Sequence, residues 1–241
     1  MKKLLWLSAF LMLIGFALWL YRQMQRPAIT LPPKPRTIED VVTILGPVLD
    51  PIWSKRCARA GVHYPPRHLV LIAWKEERRL ELYAGDSKED LHLIQTYPIL
   101  AASGQAGPKL REGDLQVPEG FYRIELLNPN SLFHLSLRVN YPSPEDILRA
   151  QEEKRDTATL GRDIMIHGNS VSTGCLAIGD PAIEELFLLA ARTGLDRIEL
   201  LIAPRESIKL VEGDARQPAW ILDRYERLRT AIAAVRKTNL R

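Results

Sequence analysis

Cysteine is scarce in this chain: Cys57 and Cys175 are the only two among 241 residues. That scarcity excludes a disulfide scaffold and any four-cysteine zinc site. One bridge between the pair is possible, and it would block Cys175. Histidine is also thin, with five residues scattered along the chain. An excess of one charge is missing too. Lys and Arg number 33 against 29 Asp and Glu, a net charge of +4. No Lys/Arg stripe with interleaved aromatics is present, which argues against nucleic acid as a partner. No internal repeat is found, and the one biased tract is a short proline-rich stretch. A hydrophobic fraction of 46% and a charged fraction of 26% are ordinary for a globular protein and exclude general disorder.

Charge is absent from one more place. Leu4 to Tyr21 is an uncharged run of eighteen residues behind Lys2 and Lys3. As a helix it rises about 27 Å, close to the ~30 Å hydrocarbon core of a bilayer. It is apolar on all faces, unlike a buried soluble helix. The following "LWLYRQMQR" offers no small-x-small cleavage site, so residues 1–24 are expected to be an uncleaved signal anchor, a transmembrane helix. Lys2 and Lys3 balance Arg22 and Arg26, so flanking charge does not orient it. Residues 25–37 carry Pro27, Pro32, Pro33 and Pro35, a stiff extended spacer.

Residues 38–66 read as helical, with Val41, Ile44, Leu45 and Val48 at helical spacing. Gly46-Pro47 and Asp50-Pro51 interrupt the pattern and predict two short helices ending near Gly61. The texture then turns to β. "RHLVLIAWKEERRLELYAG" reads as a hairpin, and "LHLIQTYPILAASG" and "GFYRIELL" as further strands. "SPEDILRAQEEK" is helical with Ser143 or a neighbour as cap, and "RDIMIHG" is a short apolar strand. "GDPAIEELFLLAARTG" predicts a helix with Asp180 as N-cap, Pro181 in the first turn and Gly194 as stop. "DRIELLIAP" is a last strand, and a basic amphipathic helix closes the chain. The fold class is mainly β with flanking helices (α+β). A body at 67–204 precedes a C-terminal helical segment at 205–241.

The chemistry concentrates in "IHGNSVSTGC", Ile166 to Cys175. A thiol is a strong nucleophile only as thiolate, and a nearby imidazole accepting its proton supplies that state. His167 ends a strand, and the seven residues that follow bring the chain round to Cys175. Gly174 lets the main chain turn tightly, so amides near Gly174 and Cys175 are candidate oxyanion donors. The spacing also admits two blander readings, a half-built metal site and a turn that happens to hold a thiol. The metal reading is weak, because "GNSVSTG" brings no further strong ligand. His63, His68, His92 and His134 sit in ordinary strand or loop contexts and read as core or surface residues.

Three segments in order resemble the YkuD-type L,D-transpeptidase catalytic domain, and within it the YafK-like branch. "GPKLREGDLQVPEGFY" is similar to the family's Lys-x-x-Glu-Gly-Asp…Thr-Pro-x-Gly-x-Tyr segment, with Val117 where threonine is common. "NSLFHLSLRVNYP" is similar to the aromatic and strand region that follows. "DIMIHGNSVSTGCLAIGD" is similar to the His-Gly…Ser-x-Gly-Cys signature. The resemblance implies a β-sandwich or barrel catalytic domain that needs no metal or organic cofactor. It makes Cys175 the nucleophile, His167 the general base, Gly168 the carbonyl that orients His167, and Gly174 part of the oxyanion region. Ser172 and Thr173 become flanking substrate contacts. Arg138 and Asn140 are candidates to meet a substrate carboxylate.

The implied partners are peptidoglycan stem peptides, and in the YafK-like branch a wall-linked lipoprotein. The implied place is the cytoplasmic membrane, with a single-pass anchor and the catalytic domain on the periplasmic or extracytoplasmic side. Thr173 and Ala177 stand where many relatives have histidine and arginine, and the His-to-Cys spacing is shorter than in typical members. These departures leave open whether the acyl group passes to an amine or to water. Two other classes stay open: a peptidoglycan-binding module that does no chemistry, and a scaffold that recruits a partner through its basic C-terminal helix. Glu112 and Asp114 read as turn residues, and Tyr122 and Arg123 as structural.

Overall fold

The computed structural model describes residues 26–207 and 218–237. The apolar run expected to anchor the chain lies outside the described residues. Among the described residues no helix is long and apolar enough to cross a membrane. One compact unit spans Leu31–Arg241.

Among the described residues nine strands hydrogen-bond into one half-barrel sheet. In chain order they are β1 (His68–Trp74), β2 (Arg79–Gly85), β3 (Leu91–Pro98), β4 (Ala101–Ala102), β5 (Gly120–Asn128), β6 (Ser136–Val139), β7 (Met165–His167), β8 (Leu176–Ala177) and β9 (Ile198–Ala203). Their spatial order is β3-β2-β1-β9-β5-β6-β7-β8-β4. The expected hairpin is β1 and β2, joined across the polar "KEER" turn. The last strand, β9, enters the middle of the sheet, parallel to β1 and antiparallel to β5. β1 is buried along almost its whole length, as a central strand covered on both faces must be.

Among the described residues four α-helices cover the sheet: α1 (Ile38–Arg59), α2 (Pro144–Glu152), α3 (Asp180–Thr193) and α4 (Ile221–Lys237). The two short helices expected before Gly61 are one helix, α1, with Pro47 and Pro51 inside it. The physical reason is the placement of the prolines. Val41, Leu45, Leu49, Trp53 and Cys57 recur every four residues as a fully buried stripe against α3. Pro47 and Pro51 lie on the opposite, exposed face, where carbonyls that lose an intrahelical partner turn to water. Trp53 Nε1 donates to the Glu185 carbonyl at 3.0 Å, and Arg56 pairs with the Glu185 carboxylate at 2.6 Å. The helix is thus stitched to α3, inside the same unit as the sheet.

The cap of α2 is as expected: Ser143 accepts from the Asp146 amide in a capping box. The cap of α3 is shifted by one residue. Gly179 is the N-cap, and the carboxylate of Asp180 instead accepts from the Asn169 amide at 2.7 Å. The C-terminal helix α4 is also part of the core. Ile221, Tyr225, Leu228 and Ile232 pack on Val70, Ile72, Trp74 and Leu201 of the sheet. Beside them Arg224, almost fully buried, donates to Asp146 at 2.8 Å and to the Glu119 carbonyl at 3.0 Å.

Candidate active site

β7 and β8 are parallel neighbours, with Ile166 abreast of Leu176 and His167 abreast of Ala177. Parallel strands usually need a dozen or more connecting residues. Here the chain between His167 and Leu176 suffices because both strands are so short. Extending the register one residue puts Met165 abreast of Cys175. Side chains alternate along a strand, so Met165, His167, Cys175 and Ala177 share one face of the sheet. The register thus makes His167 and Cys175 diagonal neighbours.

Two glycines make the turn possible. At Gly168 a Cβ would lie 2.5 Å from Asp180 Oδ1 and 2.7 Å from the Phe133 carbonyl, so only glycine fits. Gly174 has φ +87, a left-handed conformation that side chains disfavour.

His167 is buried, 2% exposed. Its Nδ1 lies 2.6 Å from the Gly168 carbonyl. A carbonyl only accepts, so Nδ1 carries the proton and Nε2 presents its lone pair. The Phe133 ring stacks on the imidazole at a centroid distance of 4.6 Å and an interplanar angle of 28°. Burial depresses the imidazole pKa below its ordinary value, against the smaller opposing effect of the Gly168 carbonyl. Burial also raises the Cys175 thiol. A main-chain hydrogen bond from Met165 and the charge of Lys109 oppose that rise, and Asp163 adds to it. Both shifts run toward the neutral thiol and the neutral imidazole and away from an ion pair. Desolvation penalises both charged partners. The thiol itself reaches the Asp163 carbonyl at 3.7 Å.

The expected oxyanion donors are engaged in this state. The Cys175 amide donates to Ser172 Oγ at 3.0 Å, and that hydroxyl donates to the Cys175 carbonyl at 2.6 Å. The Gly174 amide donates to Ser103 Oγ, whose proton goes to the Leu115 carbonyl at 2.8 Å. Ser172 is thus a closing bond of the turn. Ser103 is a contact that sequence reasoning missed, because it arrives from the end of β4, more than seventy residues upstream. Thr173 is exposed at the tip.

Arg138 lies on β6 abreast of Met165, with β7 between it and the strand that follows the thiol. Its Nε is 2.7 Å from Glu125 and its Nη1 is 3.8 Å from Asp163. Asn140 is committed elsewhere, since its side-chain oxygen accepts from the Arg123 amide at 2.7 Å beside the bulge in β5. Asp114 is the turn organiser expected of it. Its carboxylate accepts from the amides of Leu110, Arg111 and Gln116 and from Lys109 Nζ. His134 does more than fill space. It bonds the fully buried Glu184 at 2.7 Å and so fixes the segment that carries Phe133. Among the described residues no three or more His, Cys, Asp or Glu side chains gather as a metal site.

A mainly β sheet with a histidine strand and a Gly-Cys turn on adjacent short strands defines a protein class. The model of the YkuD family, the L,D-transpeptidase catalytic domain, matches residues 67–199, and the chain belongs to that family. Among known proteins it is similar to YafK of Escherichia coli (strain K12), which is named as an L,D-transpeptidase. The two are 37% identical over 116 residues, 47% of this chain and 44% of that protein. The chain thus spans about half the length of the curated relatives it matches. Among solved structures it is similar to a variant of the helical cell shape determining protein Pgp2 of Campylobacter jejuni. That match has a TM-score of 0.47 and 16% identity, and covers 73% of this chain and 57% of that one. Bd1075 of Bdellovibrio bacteriovorus matches with a TM-score of 0.40 and 25% identity over 58% of this chain and 49% of that one. Both TM-scores are below 0.5, and the family assignment rests on the sequence match alone.

Proposed function

We propose that this chain is a cell-wall cysteine enzyme that opens amide bonds of peptidoglycan stem peptides through a thioester on Cys175. The observation that carries the reading is the His167 tautomer. With Nδ1–H given to Gly168, Nε2 is free to take a proton, on the sheet face it shares with Cys175. The family match supports peptidoglycan as the substrate class.

In this reading the thiol proton passes to Nε2 as sulfur attacks the amide carbonyl. Neutral partners suit such a step, since neither charge must be kept buried before substrate arrives. The C–N bond then breaks, the departing amine takes the proton from His167, and the acyl group remains as a thioester. An amine acceptor regenerates an amide, which is transpeptidation. Water gives a carboxylic acid, which is hydrolysis. As the carbonyl oxygen gains charge it competes with Ser172 and Ser103 for the amides of Cys175 and Gly174. Arg138 is proposed to meet a substrate carboxylate, exchanging Glu125 and Asp163 for it. The uncharged run Leu4–Tyr21 is proposed to tether the enzyme to the cytoplasmic membrane, with the body on the wall side.

The test is product mass spectrometry on defined stem peptides, with and without an added amine. Cys175-dependent release of the amine, with an acyl-enzyme mass on the protein, is the expected result. Equal turnover by Cys175→Ala would overturn the reading.

A further inference from the structure

A cavity of about 1110 Å³ opens beside the nucleophile turn, and neither Cys175 nor His167 lines it. Its walls join the β1–β2 hairpin, the loop that follows β4, and the start of α4. Two contacts connect it to the turn. Ser103, in its wall, holds the Gly174 amide, and the Gln116 carbonyl lies 3.8 Å from where a Gly174 Cβ would be.

The wall holds five basic side chains and two acidic ones. Most of that charge is spent internally. Lys75 is buried against Glu119 at 2.7 Å, Arg155 pairs with Glu153 at 2.8 Å, and Arg205 pairs with Glu76 at 2.9 Å. Asp114 is taken by Lys109 at 2.7 Å. Arg78 and Arg111 are left with no ion-pair partner among the described residues. Both are held at the main chain. The Arg78 carbonyl accepts from the Ile99 amide at 2.7 Å, and the Arg111 amide donates to Asp114 at 3.0 Å. Two uncommitted guanidinium forks over a cavity of this size match an elongated ligand with more than one anionic group.

We infer that this cavity is the subsite for the carboxylate-bearing part of the peptide whose amide reaches Cys175, with Arg78 and Arg111 as its carboxylate contacts. The inference rests on the proposed function, which makes the ligand a peptide. Guanidinium groups also bind phosphate, and the position beside the nucleophile turn is what selects carboxylate.

The test is calorimetric titration of the full chain carrying Cys175→Ala. The probes are a synthetic stem tetrapeptide with free carboxylates, the same peptide with those carboxylates amidated, and inorganic phosphate. The free peptide is expected to bind about tenfold or more tightly than the amidated one. Adding Arg78→Ala and Arg111→Ala is expected to cut that difference about fivefold or more, leaving only what Arg138 contributes. Both residues are exposed, and an unchanged thermal melt checks the fold. In the enzyme with Cys175 intact, the double variant is expected to raise KM about tenfold with kcat within about twofold, the mark of lost uniform binding. Equal binding of both peptides by the parent, no binding of either, or a double variant that discriminates as strongly as the parent would overturn the inference. So would phosphate bound as tightly as the peptide and lost in the double variant. Turnover that needs Cys175 but ignores both arginines would sink this subsite alone. Turnover that does not need Cys175 would sink the functional reading itself.

Discussion

Cys57 and Cys175 are both free thiols, and they sit in regions built in opposite ways. Cys57 belongs to the α1 stripe, fully buried, and burial pushes its thiol up to about 11. Cys175 is half-buried, follows a left-handed glycine, and has the Met165 amide and Lys109 charge working against the rise. The rest of the stripe that holds Cys57, Val41, Leu45, Leu49 and Trp53, is fully buried packing. Around Cys175 hydroxyls and amides face one another, bonded through Ser172 and Ser103. The thiol chemistry is the same in both places. What differs is the supply of polar groups beside the sulfur and access to it.

The sharpest way to break this comparison is Cys175→Ala. Turnover of stem peptides is expected to fall by about 10⁴-fold or more, to background, with the melting curve preserved. Cys57→Ala in the same assay is expected to leave kcat and KM unchanged. Loss of activity in both variants, or in neither, erases the distinction. Next in size is His167→Gln, expected to cost about 10²–10⁴-fold in kcat/KM by removing the general base.

The pH profile sharpens the same point. The base must be neutral and its pKa is depressed, so the acid limb of kcat/KM is expected below the ordinary histidine value of about 6.5. A limb above that value would contradict the buried imidazole. Stability has the same sign. Below about pH 6.5 the unfolded chain takes up a proton that folded His167 refuses until its lower pKa is reached. The contribution is therefore present above that pH and is lost as pH falls through the folded value. His167→Gln should flatten that part of the urea-midpoint profile.

On the packing side, Trp53→Ala is expected to destabilise by about 3–5 kcal/mol, read as a lower urea midpoint. Kinetic constants of the folded fraction should be unchanged. The smallest effect is a labelling ratio. Iodoacetamide is expected to modify Cys175 before Cys57 in the native protein, slowly near neutral pH and faster as pH rises, because both thiols are raised. Cys57 should react only with the unfolding transition. Equal native labelling would show that the α1 stripe opens.

Much of the strand content was legible in the sequence, because period-two runs and glycine-proline punctuation are local signals. The hairpin at β1–β2, the Ser143 cap and the histidine strand all came from such signals. The two expected helices in α1 failed because proline is a local breaker whose cost depends on which face it occupies, and that is set by packing on α3. The Asp180 cap was misplaced by one residue, since its carboxylate is taken by the Asn169 amide across the turn. Ser103 and Glu184 carry no motif, and only the fold brings them to the site.

The sequence alone determined which residue types are available: one Gly-Cys turn, one histidine eight residues ahead of it, and a body rich in alternating strands. Those are properties of neighbours along the chain. Tertiary structure decided the direction of the pKa shifts at His167 and Cys175, the tautomer of His167, the occupation of the turn amides, and which arginines lack an ion-pair partner among the described residues. Desolvation and hydrogen bonding depend on groups that meet through space, and their partners here lie tens of residues apart.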